Sequence, residues 1–149
     1  MPKPIMKDQI KIGFVCVQNA GRSQMAAAFA EREQKERGLE GVLEIISGGT
    51  SPADEIHDIV IEAMAEEGID LSDRVPTEIE TEALNSCVVV ATMGCSTLQL
   101  DTETDVRDWA LSDPARADIA DTRAIREEVK MNVESLFDEI ESELDITDD

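Results

Sequence analysis

Apolar residues along this chain gather in short unbroken runs, separated by longer stretches where they recur every third or fourth position. Residues 10–15 and 42–46 read as buried strands, and residues 87–92, with three consecutive valines, as a third. Residues 106–110 read as a fourth strand, interrupted by the charges of Arg107 and Asp108. Helical periodicity fills the intervals. Residues 23–37 form a first helix that Gly38 stops, and residues 53–67 a second, with Pro52 before it and Gly68 after it. Residues 77–84 read as a short helix. Residues 124–144 read as a long final one, on which Ile125, Val129, Val133, Leu136, Phe137, Ile140 and Leu144 make a single apolar stripe. The acidic tail, residues 142–149, is expected to fray.

Strand, helix, strand, helix, strand in that order predicts right-handed crossovers. The expected class is therefore α/β, a three-layer, doubly wound sandwich around a central four-stranded parallel sheet. At 149 residues the chain is read as one domain, able to bury its core without disulfide or metal staples. Such a sheet binds its ligands at the carboxyl ends of its strands.

That location directs attention to Cys16-Val17-Gln18-Asn19-Ala20-Gly21-Arg22-Ser23, which joins the first strand to the first helix. A loop that turns from a buried strand into a helix aims successive backbone N–H groups at one spot. The helix N-terminus adds about half a positive charge there. A tetrahedral oxyanion fits, with Val17, Gln18, Asn19, Ala20, Gly21 and Arg22 as its cradle. Cys16 feels the same field, which favours thiolate over thiol and makes it the candidate nucleophile. The fork of Arg22 can hold two oxygens at once. Ser23 can donate its hydroxyl to the thiolate or cap the helix, and Asn19 can stiffen the loop by bonding its backbone. With three cysteines and eight arginines in the chain, a Cys-x5-Arg spacing arises by chance roughly one time in six. The preceding strand, Gly21 in the turn and the small-residue helix 25–30 are independent of the spacing and agree with it.

Composition narrows the partners. Thirty-four acidic residues against 13 basic give a formal charge of −21, while 42% hydrophobic content in periodic blocks argues for folding rather than disorder. So acidic a surface repels phosphodiester backbones and anionic lipid, so neither nucleic acid nor a membrane is an expected partner. Five lysines against 34 carboxylates resemble the proteins of salt-loving microbes. Three irregularly spaced cysteines make no disulfide framework, and no signal peptide or long apolar span is present, so the expectation is a reducing cytoplasm. The lone histidine, His57, gives no metal-site spacing, and no metal is expected.

The motif and its surroundings resemble the low-molecular-weight protein tyrosine phosphatase superfamily, and within it the arsenate reductases that share the phosphatase fold. Arg22-Ser23-Gln24-Met25-Ala26 is similar to the reductase version, where tyrosine phosphatases carry Arg-Ser-Pro. Segments 49–53, 62–72 and 108–115 are similar to that branch as well. Asp113-Pro114 matches the loop that supplies the family's general acid, which implies that role for Asp113. Thr92-Met93-Gly94-Cys95 resembles the stretch that holds a redox cysteine, which implies that Cys95 or a small external thiol resolves the adduct on Cys16; the further cysteine and proline usual just beyond are absent here.

The resemblance implies reduction of arsenate to arsenite through a Cys16 adduct, with an external thiol or redox protein as reductant and no tightly bound cofactor. The alternative is a low-molecular-weight protein tyrosine phosphatase that hydrolyses phosphomonoesters, phosphotyrosine of phosphoproteins among them, through a phosphocysteine. A non-catalytic oxyanion sensor or a phosphopeptide-binding module is a third reading. Cys87, at the far end of the third strand, is read as inert filler.

The charge reading carries its own test. Concentrated salt screens the self-repulsion of the carboxylates, so the melting temperature is expected to rise between dilute buffer and molar KCl. A flat or falling temperature contradicts it.

Overall fold

The run from Ile10 to Cys16 forms an inner strand because it is apolar enough to be covered on both faces. The computed structural model describes residues 10–16, 19–41, 43–79, 81–85, 87–93, 105–109 and 118–148. In it β1 (Ile10–Cys16) lies between β2 (Leu43–Gly49) and β3 (Val89–Thr92), and β4 (Asp105–Asp108) pairs on the outside of β3. The order is β2-β1-β3-β4 and every pairing is parallel, with Cys16 beside Gly49 and Val15 beside Thr92. The expected four-stranded parallel sheet is therefore present.

Alternation along the strands divides the core in two. Ile12, Phe14 and Cys16 of β1, with Val89 and Ala91 of β3, face the helices α1 (Arg22–Glu36), α2 (Asp58–Ala65) and α4 (Ile119–Asp148). Val15 and Val90 face the other way, against Leu84 of the short α3 (Thr81–Asn85) and against Cys87. Gly13 lies on this second face, where a Cβ would stand 3.1 Å from Leu84 Cδ2 and 3.3 Å from Cys87 Sγ. The missing side chain lets α3 close on the sheet. On α4 the stripe Ile125, Val129, Val133, Leu136, Phe137 and Ile140 is buried as expected, and Leu144 lies outside the residues whose side chains are described. The charges of β4 blunt an open edge, with Arg107 donating to Glu139 at 2.8 Å.

Three helices start four or five residues away from the sequence expectation, each for a visible reason. The second helix begins at Asp58 rather than residue 53, with His57 extended at φ −62° and ψ 131°. Here Thr50 N–H donates to the Cys16 carbonyl at 3.3 Å and His57 N–H to the Ala20 carbonyl at 3.0 Å, so this segment is held by the loop after β1. Within the stretch expected to be helical from 77, Thr77 to Ile79 run alongside the end of β2. Gly49 N–H bonds the Thr77 carbonyl at 2.8 Å, and Ile79 N–H the Gly49 carbonyl at 3.2 Å. The last helix starts earlier, at Ile119, because Asp118 caps it: its carboxylate accepts the Asp121 N–H at 2.8 Å. That helix spans the acidic tail as far as Asp148. No helix among the described residues is long and apolar enough to cross a membrane.

Gly48 sets how closely residues 77–79 approach. A Cβ there would lie 2.4 Å from Ile79 Cβ and 2.9 Å from its Cγ2. Gly48→Ala is expected to cost about 2 kcal/mol, from overpacking against a branched side chain that cannot retreat. A urea titration reads this as a lower midpoint.

Candidate active site

Cys16 is the last residue of β1 and only 2% exposed. Strand parity turns its side chain to the α1 face, and two donors meet the sulfur there. Asn19 N–H lies 3.1 Å from Sγ and Ser23 Oγ 2.9 Å. Asn19 adopts a left-handed backbone conformation, φ 51°, which an asparagine tolerates better than most residues and which folds the loop back on itself.

The Asn19 side chain fixes the direction of the hydrogen bonds around the sulfur. Its Oδ1 receives the main-chain N–H of Thr77 at 2.9 Å and Gln24 Nε2 at 3.0 Å. Thr77 N–H can only donate, so the oxygen of the carboxamide must face it and Nδ2 must face Ser23 Oγ, 2.7 Å away. Ser23 therefore accepts from Asn19, and toward a Cys16 thiolate, which can only accept, its single proton is the donor. Both donors stabilise negative charge on the sulfur. Ser23 is the second residue of α1, and Gly21 occupies the N-cap position without a side-chain capping bond. Of the two roles open to Ser23, the structure shows the bond to sulfur.

The same end of α1 has a distinct electrostatic setting. The first turns of α2, α3 and α4 contain Asp58, Glu82 and Asp121, whereas that of α1 contains no acidic residue. In a chain of charge −21, no carboxylate of its own first turn opposes the positive end of this helix dipole beside the sulfur. Arg22, the first residue of α1, donates from Nη1 to the Met93 carbonyl just beyond β3. Met93 N–H in turn bonds the Val15 carbonyl at 3.1 Å, so the guanidinium reaches the strand end next to Cys16. Ala20 and Gly21 are buried within the turn.

Cys16, Asn19, Ala20, Gly21, Arg22 and Ser23 are thus brought together. Val17, Gln18, Cys95 and Asp113 lie outside the described residues. Trp109 follows β4 and packs its ring on Phe14, 5.8 Å between centroids, which makes it a core partner at the carboxyl edge of the sheet. Cys87 sits at the opposite end of β3, 4% exposed, and burial pushes its thiol up to about 11. It stays protonated and unreactive near neutrality. Sequence reasoning gave no contact to Gln24 or Thr77. For Gln24 a signal existed: it occupies the third helical position, where a glutamine reaches back toward the chain before the helix.

The model of the low molecular weight phosphotyrosine protein phosphatase family matches residues 11–146. The chain belongs to that family. Within the low molecular weight phosphatase family it is 60% identical over 130 residues to a Halobacterium salinarum protein named "Putative arsenate reductase", covering 87% of this chain and 92% of that one. It is 34% identical over 134 residues to a Synechocystis protein named "Glutaredoxin arsenate reductase", covering 87% and 98%. A solved structure described as an arsenate reductase in the phosphate binding state superposes with a TM-score of 0.74 at 32% identity, covering 88% of this chain and 98% of that one.

The site's polar wiring is testable without any substrate. Asn19→Ala strips the acceptor from Thr77 N–H and from Gln24 and places alanine in a left-handed conformation. The expected loss is about 2 to 4 kcal/mol of stability. Urea unfolding of the variant checks it, with the midpoint lowered and the slope unchanged.

Proposed function

We propose that the protein is an arsenate reductase with Cys16 as nucleophile. One observation carries the reading: the sulfur lies at an acid-free helix N-terminus, beside Arg22, with two donors aimed at it. The names of its relatives in Halobacterium and Synechocystis support the same choice.

In the first step Cys16 thiolate attacks arsenic. A sulfur–arsenic bond forms as an arsenic–oxygen bond breaks, and the departing oxygen leaves as water with a proton from Asp113. Arg22 and the N–H groups of residues 17 to 22 stabilise charge on the remaining oxygens. In the second step a thiolate, from Cys95 or an external thiol, attacks the Cys16 sulfur. A disulfide forms, the sulfur–arsenic bond breaks, and its electron pair stays on arsenic, which passes from the pentavalent to the trivalent state and is released as arsenite. A thiol or dithiol redox protein then returns two electrons to the disulfide, which places the enzyme in the reducing cytoplasm. No resident metal or cofactor takes part in these steps, and neither nucleic acid nor membrane is assigned as a partner.

The second reading, phosphomonoester hydrolysis, is favoured by the family's own description. It shares the first step, with water in place of the second thiol.

One experiment separates them. The native protein, Cys16→Ser and Cys95→Ser are each given arsenate with thiol and, separately, para-nitrophenyl phosphate. Cys16→Ser is expected to lose arsenite production by about three orders of magnitude or more. Loss in Cys95→Ser as well assigns it as the resolving thiol, and full retention assigns that step to the external thiol. Ester cleavage without arsenite production overturns the reductase in favour of the phosphatase.

A further inference from the structure

We propose that Gln24 is a positioning residue for the nucleophile: its carboxamide clamps Asn19 in the conformation that turns the Asn19 N–H and the Ser23 hydroxyl onto the Cys16 sulfur. Gln24 is 3% exposed, yet its donor group makes two bonds to one residue outside its helix. Nε2 lies 3.1 Å from the Asn19 carbonyl oxygen and 3.0 Å from Asn19 Oδ1. A glutamine at the third position of a helix ordinarily reaches back to the N-cap backbone. Here it passes the N-cap, Gly21, and holds a residue two positions earlier.

The reach matters because Asn19 is the one described non-glycine residue with positive φ, a conformation it leaves readily unless held. Holding the carbonyl fixes the peptide on one side of its Cα, and holding Oδ1 fixes the side chain. With both restrained the backbone cannot rotate, and the N–H stays on sulfur. Oδ1 is shared with Thr77 N–H, so Gln24 also ties residues 77–79 to the loop. The bland reading is that Gln24 merely fills buried space, in which case any side chain of its length would serve.

Gln24→Met separates the two, since methionine keeps length and volume but cannot donate. The readout is alkylation of Cys16 by iodoacetamide, followed over pH by peptide mass spectrometry, and it needs neither arsenate nor turnover. Loosening the donors withdraws stabilisation from the thiolate. The pH midpoint of Cys16 alkylation is therefore expected to move up by about half a unit or more in Gln24→Met. Circular dichroism is expected to match the native protein. A profile superimposable on the native one overturns the proposal.

Should Gln24→Met not fold, the native protein labelled with 15N provides the test. The side-chain NH2 signals of Gln24 are expected to shift with the same midpoint as Cys16 alkylation, and signals that do not move with it overturn the clamp. The proposal rests on Cys16 being the nucleophile, but the two fail separately. A native Cys16 no more reactive than Cys87 overturns the proposed function, whereas a reactive Cys16 indifferent to Gln24→Met overturns only the positioning role.

Discussion

A single buried carboxamide, that of Asn19, organises the region around the reactive sulfur. It receives from Thr77 and Gln24 on its oxygen and gives to Ser23 from its nitrogen, while its own main-chain N–H meets Cys16. Three stretches distant in sequence converge on it: the loop after β1, the start of α1, and residues 77–79. A buried amide so placed cannot rotate without stranding a donor, so each bond enforces the polarity of the next. The loop's geometry follows from that closure more than from any one contact to sulfur.

The central strands were legible because β1 and β3 are buried on both faces, which leaves near-continuous apolar runs in the sequence. The loop was legible because Cys16, Gly21 and Arg22 stand where a strand passes into a helix. Less visible were residues 53–57, whose helical composition yields to main-chain bonds from Thr50 and His57 to the loop. Residues 77–79 were hidden for the same reason, since pairing with Gly49 is a long-range contact that local periodicity does not record. Asp118 was a readable cap that the apolar stripe, beginning later, obscured. Gln24 stood where a glutamine reaches back from the first turn, but only the folded chain shows that its amide passes the N-cap to Asn19.

The acidic surface and the site answer each other. Two arginines on the helical side are each shared among three carboxylates: Arg37 meets Glu33, Asp138 and Glu141, and Arg126 meets Glu66, Glu67 and Glu127. Hydrogen bonds from Arg123 and Arg126 hold the Glu66 carboxyl down at about 2. Exposed pairs of this kind add little stability singly. Their effect is to dispose of negative charge across the seams between α1, α2 and α4, while the first turn of α1, the one that faces the sulfur, carries no acidic residue.

The alternation of β1 has a consequence beyond packing. Cys16 shares a face with Phe14 and Ile12, and Val15 shares the opposite face with residues of α3. Deleting or inserting one residue upstream in the strand, with the pairing register kept, would exchange those faces and bury the sulfur beneath α3, even with every letter of the Cys-to-Arg motif intact. The chemistry is thus encoded in a count, odd or even, as well as in a motif. Length changes within this strand should therefore be harder for the lineage to tolerate than substitutions of one aliphatic residue by another.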